Sequence, residues 1–277
     1  MRHERTTLTT QDGLELFAQT WLPDDRPQAV LAFVHGQSDH SGRYASLGEA
    51  LTDAGYALHM ADLRGHGLSP GERGHIKHFS DYLTDFQAML NYARKLAPDK
   101  PQFFGGHSLG STIALAYALQ NPPDYMGVIA SGTWLKLAFA PPAWKITLGR
   151  VMSGIMPGLT MGNELDPVWL THDKEIVEAY ASDPLVHGVI SARAYTEITA
   201  AAEHVLAHAG DLRLPLLIIQ GKDDPIIGCR GSEELAEKVS IEDCQLIVYE
   251  GMLHEVLNEI ERKRVVGDVI SWLDAHR

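Results

Sequence analysis

One pentapeptide limits what this chain can fold into more than any other segment: Gly106-His107-Ser108-Leu109-Gly110. It follows the apolar pair Phe103-Phe104 and precedes a helical-looking run over residues 112–119. A G-x-S-x-G pattern in that setting predicts a strand, a tight turn that pushes the serine outward, and a helix directly behind it. Glycines leave room where such a turn crowds its neighbours. The helix N-terminus points free N–H groups at developing negative charge. Ser108 is therefore the candidate nucleophile.

Around this turn the 277-residue chain reads as one α/β domain carrying an insertion. Short apolar runs alternate with longer amphipathic ones, the pattern of a mostly parallel central sheet flanked by helices. Strands are expected over residues 14–21, 29–35, 56–61, 102–106, 127–131, 215–220 and 245–249. Helices are expected over 43–54, 80–96, 109–120, 191–207, 231–239 and 262–276. The runs Val30-Leu31-Ala32-Phe33-Val34 and Leu216-Leu217-Ile218-Ile219 are apolar on both faces, which suits strands sandwiched between helix layers.

The alternation breaks after Ser131. Residues 132–204 are rich in Pro, Gly, Met and Trp, with Pro141-Pro142, Pro157-Gly158 and Pro167 as punctuation, and no strand is expected before Leu214. An insertion there reads as a helical cap over the C-terminal edge of the sheet, where ligands of open α/β sheets bind. Residues 1–131 and 205–277 are left as the core.

A net charge of −13 argues against nucleic acid as a partner. Residues 126–163 nevertheless contain no Asp or Glu, while Lys136, Lys145 and Arg150 stand there among Trp134, Leu137, Trp144, Leu148 and Ile155. Such a segment either meets an anionic lipid surface or packs an apolar face on the core. Two cysteines, Cys229 and Cys244, fit a reducing cytoplasm better than a disulfide framework. The start of the chain has no apolar signal-like region, and no apolar run approaches the ~20 residues of a membrane span.

A serine hydroxyl needs a base to take its proton and a carboxylate to orient that base. After the strand ending at Gln220 comes Gly221-Lys222-Asp223-Asp224-Pro225, and after that ending at Tyr249 comes Glu250-Gly251-Met252-Leu253-His254. Both loops lie in the order that follows a G-x-S-x-G serine, acid then histidine. His254 is the candidate base among 14 histidines, because its loop follows the last expected strand and precedes a helix. Adjacent loop side chains point apart, so either Asp223 or Asp224 faces it. Two N–H donors for an oxyanion are expected at Leu109, next to the serine, and at Gln37, which Gly36 aims inward.

These residues resemble the monoglyceride lipases and lysophospholipases of the α/β-hydrolase fold. The resemblance runs through His35-Gly36-Gln37-Ser38-Asp39-His40-Ser41-Gly42-Arg43-Tyr44 and Asp62-Leu63-Arg64-Gly65-His66-Gly67-Leu68-Ser69. It continues through Gly74, the Ser108 turn, Ser182-Asp183-Pro184-Leu185-Val186 and the Asp224 loop to Tyr249-Glu250-Gly251-Met252-Leu253-His254-Glu255 and Asn258. It implies Ser108 as nucleophile, Asp224 as orienting acid, His254 as base, and an oxyanion hole at the amides of Gln37 and Leu109. It also implies an amphiphilic cap that shelters one acyl chain and meets a membrane. Asp39 and Arg43 become candidate substrate contacts near the glycerol end; His107, and Trp134, Leu137 and Ile155 in the cap, are further candidate contacts. Two positions depart from the family: Ser111 stands where many members have glycine, and Leu257 where some animal members have a second histidine.

The resulting expectation is a serine esterase that cleaves monoacylglycerols, with no cofactor. Lysophospholipase, general carboxylesterase and, less favoured, thioesterase are the enzyme alternatives. A catalytically silent ligand receptor of the same fold is disfavoured by the presence of all three residues. The spacings of His35, His40, His66, His75 and His78 match no common zinc motif, so no metal is expected.

Overall fold

The amino-terminal strand β1 (Arg2–Thr9) pairs antiparallel with β2 (Glu15–Leu22) and opens a chain of ten strands and eight α-helices among the described residues. The computed structural model describes residues 1–122, 124–139 and 142–277. Pro141 of the proline pair and the side chain of Lys145 lie outside the described residues.

After β2 the chain runs through β3 (Val30–Val34), α1 (Ala45–Asp53), β4 (Ala57–Ala61), α2 (Phe79–Leu96), β5 (Gln102–His107), α3 (Leu109–Ala118) and β6 (Gly127–Ser131). The stretch expected to be an insertion holds α4 (Ala143–Ile155), β7 (Thr160–Gly162), α5 (Lys174–Ser182) and β8 (Val189–Ser191). It leads into α6 (Ala192–Ala207), and the chain closes with β9 (Leu216–Gly221), α7 (Cys229–Lys238), β10 (Cys244–Tyr249) and α8 (Arg262–His276).

Eight strands form one sheet in the order β1-β2-β4-β3-β5-β6-β9-β10, parallel from β4 onward. Every residue of β3 and of β9 is buried, as runs apolar on both faces require. One face packs against α1 and α8 through Trp21, Phe33, Phe103 and Trp272. The other packs against α2, α3 and α7 through Phe86, Phe104, Ile113 and Leu235, with α6 stacked on the outside of α2 and α3. Helix α3 is buried almost all round because it lies between the sheet and two other helices.

Three departures from the sequence reading have physical causes. Strand β1 is polar and mostly exposed (Arg-His-Glu-Arg-Thr-Thr-Leu-Thr), so it lacks the apolar alternation that marks a strand; charges on such an edge discourage pairing with other chains. Strands β7 and β8, three residues each, form an antiparallel pair inside the insertion, where no strand was expected. They are too short to show a period of two. The helix expected from Arg43 begins instead as a 3-10 turn, Ser41–Tyr44, with α1 following.

Helix α6 crosses the expected cap boundary at residue 204 and packs on α2 and α3 as well as on α4. Helix α4 turns an apolar stripe outward: Trp144, Leu148, Val151 and Ile155, at helical spacing, are 49–72% exposed. No helix among the described residues is long and apolar enough to cross a membrane. Cys229 and Cys244 are both free thiols.

Candidate active site

Strand β5 delivers Ser108 into a turn with φ 53° and ψ −117°, a strained conformation for a residue with a Cβ. The flanking glycines are there for space. A Cβ on Gly106 would stand 2.3 Å from the Gly110 carbonyl carbon, and one on Gly110 would stand 2.2 Å from the Val34 oxygen. The turn is pinned to β6 by the Ser108 amide, which donates to the Ser131 oxygen at 2.8 Å. Ser111 fits fully buried, and its hydroxyl donates to the Ser108 carbonyl at 2.6 Å.

His254 reaches the same place from the loop after β10, which turns at Gly251 (φ +75°). Its Nδ1–H donates to Asp224 Oδ2 at 2.7 Å, with both side chains almost completely buried. The acid is itself held: Oδ1 of Asp224 accepts the amides of Ile226 and Ile227 at 2.8 and 2.9 Å, and Oδ2 accepts from Gln220 Nε2 at 3.2 Å. Asp223 points into solvent. The structure therefore brings Asp224, not Asp223, to the histidine.

The charges follow from this geometry. Burial disfavours a charged His254, but the neighbouring Asp224 carboxylate, then Glu255 and Asp39, outweigh it and raise its pKa above the ordinary histidine value. Burial also works against an ionised Asp224, yet His254 and the two loop amides hold its carboxyl below the usual range. His107, packed ring against ring on His254 at 4.6 Å, is pushed down to about 4 by burial and by that neighbour. It is a neutral wall of the site.

The loop after β3 passes directly over the serine, since a Cβ on Gly36 would come within 3.1 Å of Ser108 Cβ. Gln37, next in the chain, lines the same pocket as Ser108, and Leu109, the first residue of α3, has no residue within the helix to which its amide could donate. Asp39 also lines the pocket, although its carboxylate accepts from Tyr44 Oη at 2.9 Å and from Arg43 at 3.0 Å. Arg43 lies behind that wall, in a two-pronged ion pair with Glu255.

The pocket above Ser108 has a volume of about 330 Å3. Of the cap residues expected there, Trp134 and Leu137 line it. Ile155 does not: it is 72% exposed on the outer face of α4. Most of the apolar lining was not foreseen, namely Leu165, Trp169, Leu170, Tyr180, Ile190 and Tyr195 from the cap side and Ile226 and Ile227 beside the acid. The cap residues carried no periodic signal. Glu255 stood next to His254 and could have been found from that adjacency.

A mostly parallel eight-stranded sheet, a strained serine at the end of its central strand and a buried Asp–His pair define an α/β-hydrolase. The family described as serine aminopeptidase, S33, matches residues 25–261, and the chain belongs to it. A monoacylglycerol lipase of Mycolicibacterium smegmatis is 33% identical over 265 residues, covering 95% of this chain and 94% of that one. The monoglyceride lipase of Rattus norvegicus is 30% identical over 275 residues, covering 98% and 90%. The crystal structure of a monoacylglycerol lipase from Paleococcus ferrophilus superposes with a TM-score of 0.87 at 30% identity, covering 95% and 100%.

Proposed function

We propose that this chain is a monoacylglycerol lipase that works through an acyl-enzyme on Ser108. The observation that carries the reading is the apolar pocket of about 330 Å3 that ends on Ser108 beside a hydrogen-bonded His254–Asp224 pair. A peptide substrate held by its amino terminus would need a carboxylate free to meet it. Asp39 and Glu255, two of the carboxylates on the wall, are instead paired with Arg43. A long acyl chain needs only the apolar wall, and the similarity to monoacylglycerol lipases supports the same substrate.

In this reading Ser108 Oγ attacks the ester carbonyl carbon while His254 Nε2 takes the hydroxyl proton. The carbonyl electron pair moves to oxygen, where the amides of Gln37 and Leu109 receive the charge. Collapse of the adduct breaks the bond to the glycerol oxygen, which leaves with the proton from His254. Water, deprotonated in turn by His254, attacks the acyl-Ser108 ester; the bond to Ser108 Oγ breaks, the serine takes the proton back from His254, and the fatty acid is released. Asp224 keeps the imidazole oriented and stabilises its cation. Residues 132–204 act as the cap over the 1–131 and 205–277 core, and the outward stripe of α4 rests on the lipid surface that supplies the substrate.

The test is fatty-acid release from monoacylglycerols of several lengths, a lysophosphatidylcholine and an acyl-CoA, with Ser108→Ala beside the parent. Monoacylglycerol is expected to be preferred, and Ser108→Ala to lose about 10⁶-fold in turnover. A mild loss would reject the nucleophile, and preference for the lysolipid or thioester would overturn the substrate.

A further inference from the structure

Residues 163–191 are fastened to the core at several places, and one of them is the short loop that carries Gln37. Ser38, next in the chain, is fully buried at φ 59°, in the left-handed region. A residue with a Cβ keeps that conformation only where its surroundings over-determine it. Here those surroundings belong to the cap. Tyr180 Oη donates to the Ser38 carbonyl at 3.1 Å, and Asn163 Nδ2 donates to Ser38 Oγ at 3.0 Å. On either side, Gln37 Nε2 donates to the Val189 oxygen at 3.3 Å and His40 Nε2 donates to Asp183 at 2.8 Å.

Tyr180 reaches the other half of the site as well. The Arg43 guanidinium lies 4.6 Å from the centre of its ring. That guanidinium grips Glu255 through two hydrogen bonds, of 2.6 and 2.7 Å, and Glu255 is the residue after His254. One cap side chain thus touches the oxyanion loop directly and the base loop through a single intermediary. Although Tyr180 lines the pocket, its one O–H is committed to Ser38.

We propose that Tyr180 is a positioning residue: its hydroxyl fixes the Ser38 turn so that the Gln37 N–H points where the oxyanion forms, and its ring seats Arg43 against the base loop. Because peptide units are planar, anchoring the Ser38 carbonyl and side chain leaves the Gln37 amide few dihedrals to vary. Small errors in donor placement are costly to a transition state and nearly invisible to a bound ground state. This inference rests on the acyl-enzyme reading above, with Gln37 as a donor.

The experiment compares Tyr180→Phe with the parent on a monoacylglycerol and on the p-nitrophenyl ester of the same acid, which has no glycerol. Tyr180→Phe keeps the ring over Arg43 and deletes only the hydroxyl. The expected result is a fall in kcat of about tenfold to a hundredfold on both esters, with KM nearly unchanged. A loss confined to the glycerol ester would make the hydroxyl a head-group contact and overturn the proposal, as would an unchanged kcat. Ser38→Gly, which is free of strain at that φ, provides the second arm. Ser38→Gly keeps the carbonyl that Tyr180 holds but needs no help to keep that φ, so Tyr180→Phe is expected to cost less kcat in the Ser38→Gly background than alone, and an equal cost in both would overturn the proposal. Ser108→Ala run alongside separates the two failures. Turnover surviving in Ser108→Ala defeats the acyl-enzyme reading, whereas a dead Ser108→Ala with an intact Tyr180→Phe defeats only this inference.

Discussion

Arg43 and Glu255 lie 212 residues apart in the chain and meet through two hydrogen bonds of 2.6 and 2.7 Å, both side chains at least nine-tenths buried. The pair stands directly behind the candidate base. Glu255 therefore contributes negative charge next to His254 without facing water.

That placement sets a pH dependence. The free enzyme needs neutral His254, so kcat/KM rises with pH through the histidine pKa. With that pKa raised, the acid limb is expected above the ordinary histidine value of about 6.5. Glu255→Gln removes one charge that favours the imidazolium, so the limb should move toward lower pH. A kcat/KM profile on a soluble ester reads this directly, and an unmoved limb would contradict it.

The two adjacent aspartates should behave very differently. Asp224→Asn is expected to cost about 10⁴ in kcat, by the logic of a wrongly oriented imidazole. Asp223→Asn changes an exposed side chain and should leave kcat close to the parent. The reverse order in steady-state kinetics would move the acid by one residue.

Glycine positions give a contrast in stability. A Cβ on Gly110 would press on two backbone oxygens, Val34 at 2.2 Å and His35 at 2.6 Å, neither able to rotate away. Gly110→Ala should destabilise by about 1–3 kcal/mol and depress activity, because α3 must back away from β3. Gly267 lies exposed within α8 with nothing within 4 Å of its Cβ site, so Gly267→Ala should stabilise by about 0.4–1 kcal/mol. Urea unfolding of both variants checks the pair.

The outward face of α4 predicts a difference between substrates. Trp144→Ser combined with Ile155→Ser should lower vesicle binding and hydrolysis of micellar lipid, with a short soluble ester cleaved at the parental rate. Equal losses on both substrates would make the stripe a packing element.

Much of the core was legible because its signals are local. Strands β3 and β9 announce themselves as runs apolar on both faces, and the Ser108 turn by glycines that nothing else could replace. What was not legible depends on direction or distance. The loop residues alone leave Asp223 and Asp224 open, and the family resemblance chooses Asp224; in the structure the choice turns on two downstream amides, of Ile226 and Ile227, that aim one carboxylate inward. Ile155 lies on an amphipathic helix, but periodicity says which residues share a face and not whether that face meets the pocket or the solvent. Tyr180 is one aromatic in a short helix, and its importance rests on Ser38, 142 residues away.

The ties between cap and core bear on how such enzymes can be re-engineered. Asn163, Tyr180, Asp183 and Val189 each hold a residue of the Gln37–His40 loop, and the Leu170 oxygen accepts the amide of Glu255. A cap taken from a relative to alter acyl preference would arrive without matched anchors unless these positions travelled with it or the loop was redesigned to suit. If residues 132–204 are exchanged as the proposed cap, the Gln37–His40 loop has to travel with them, and chimeras cut at Ser131 alone should turn over poorly.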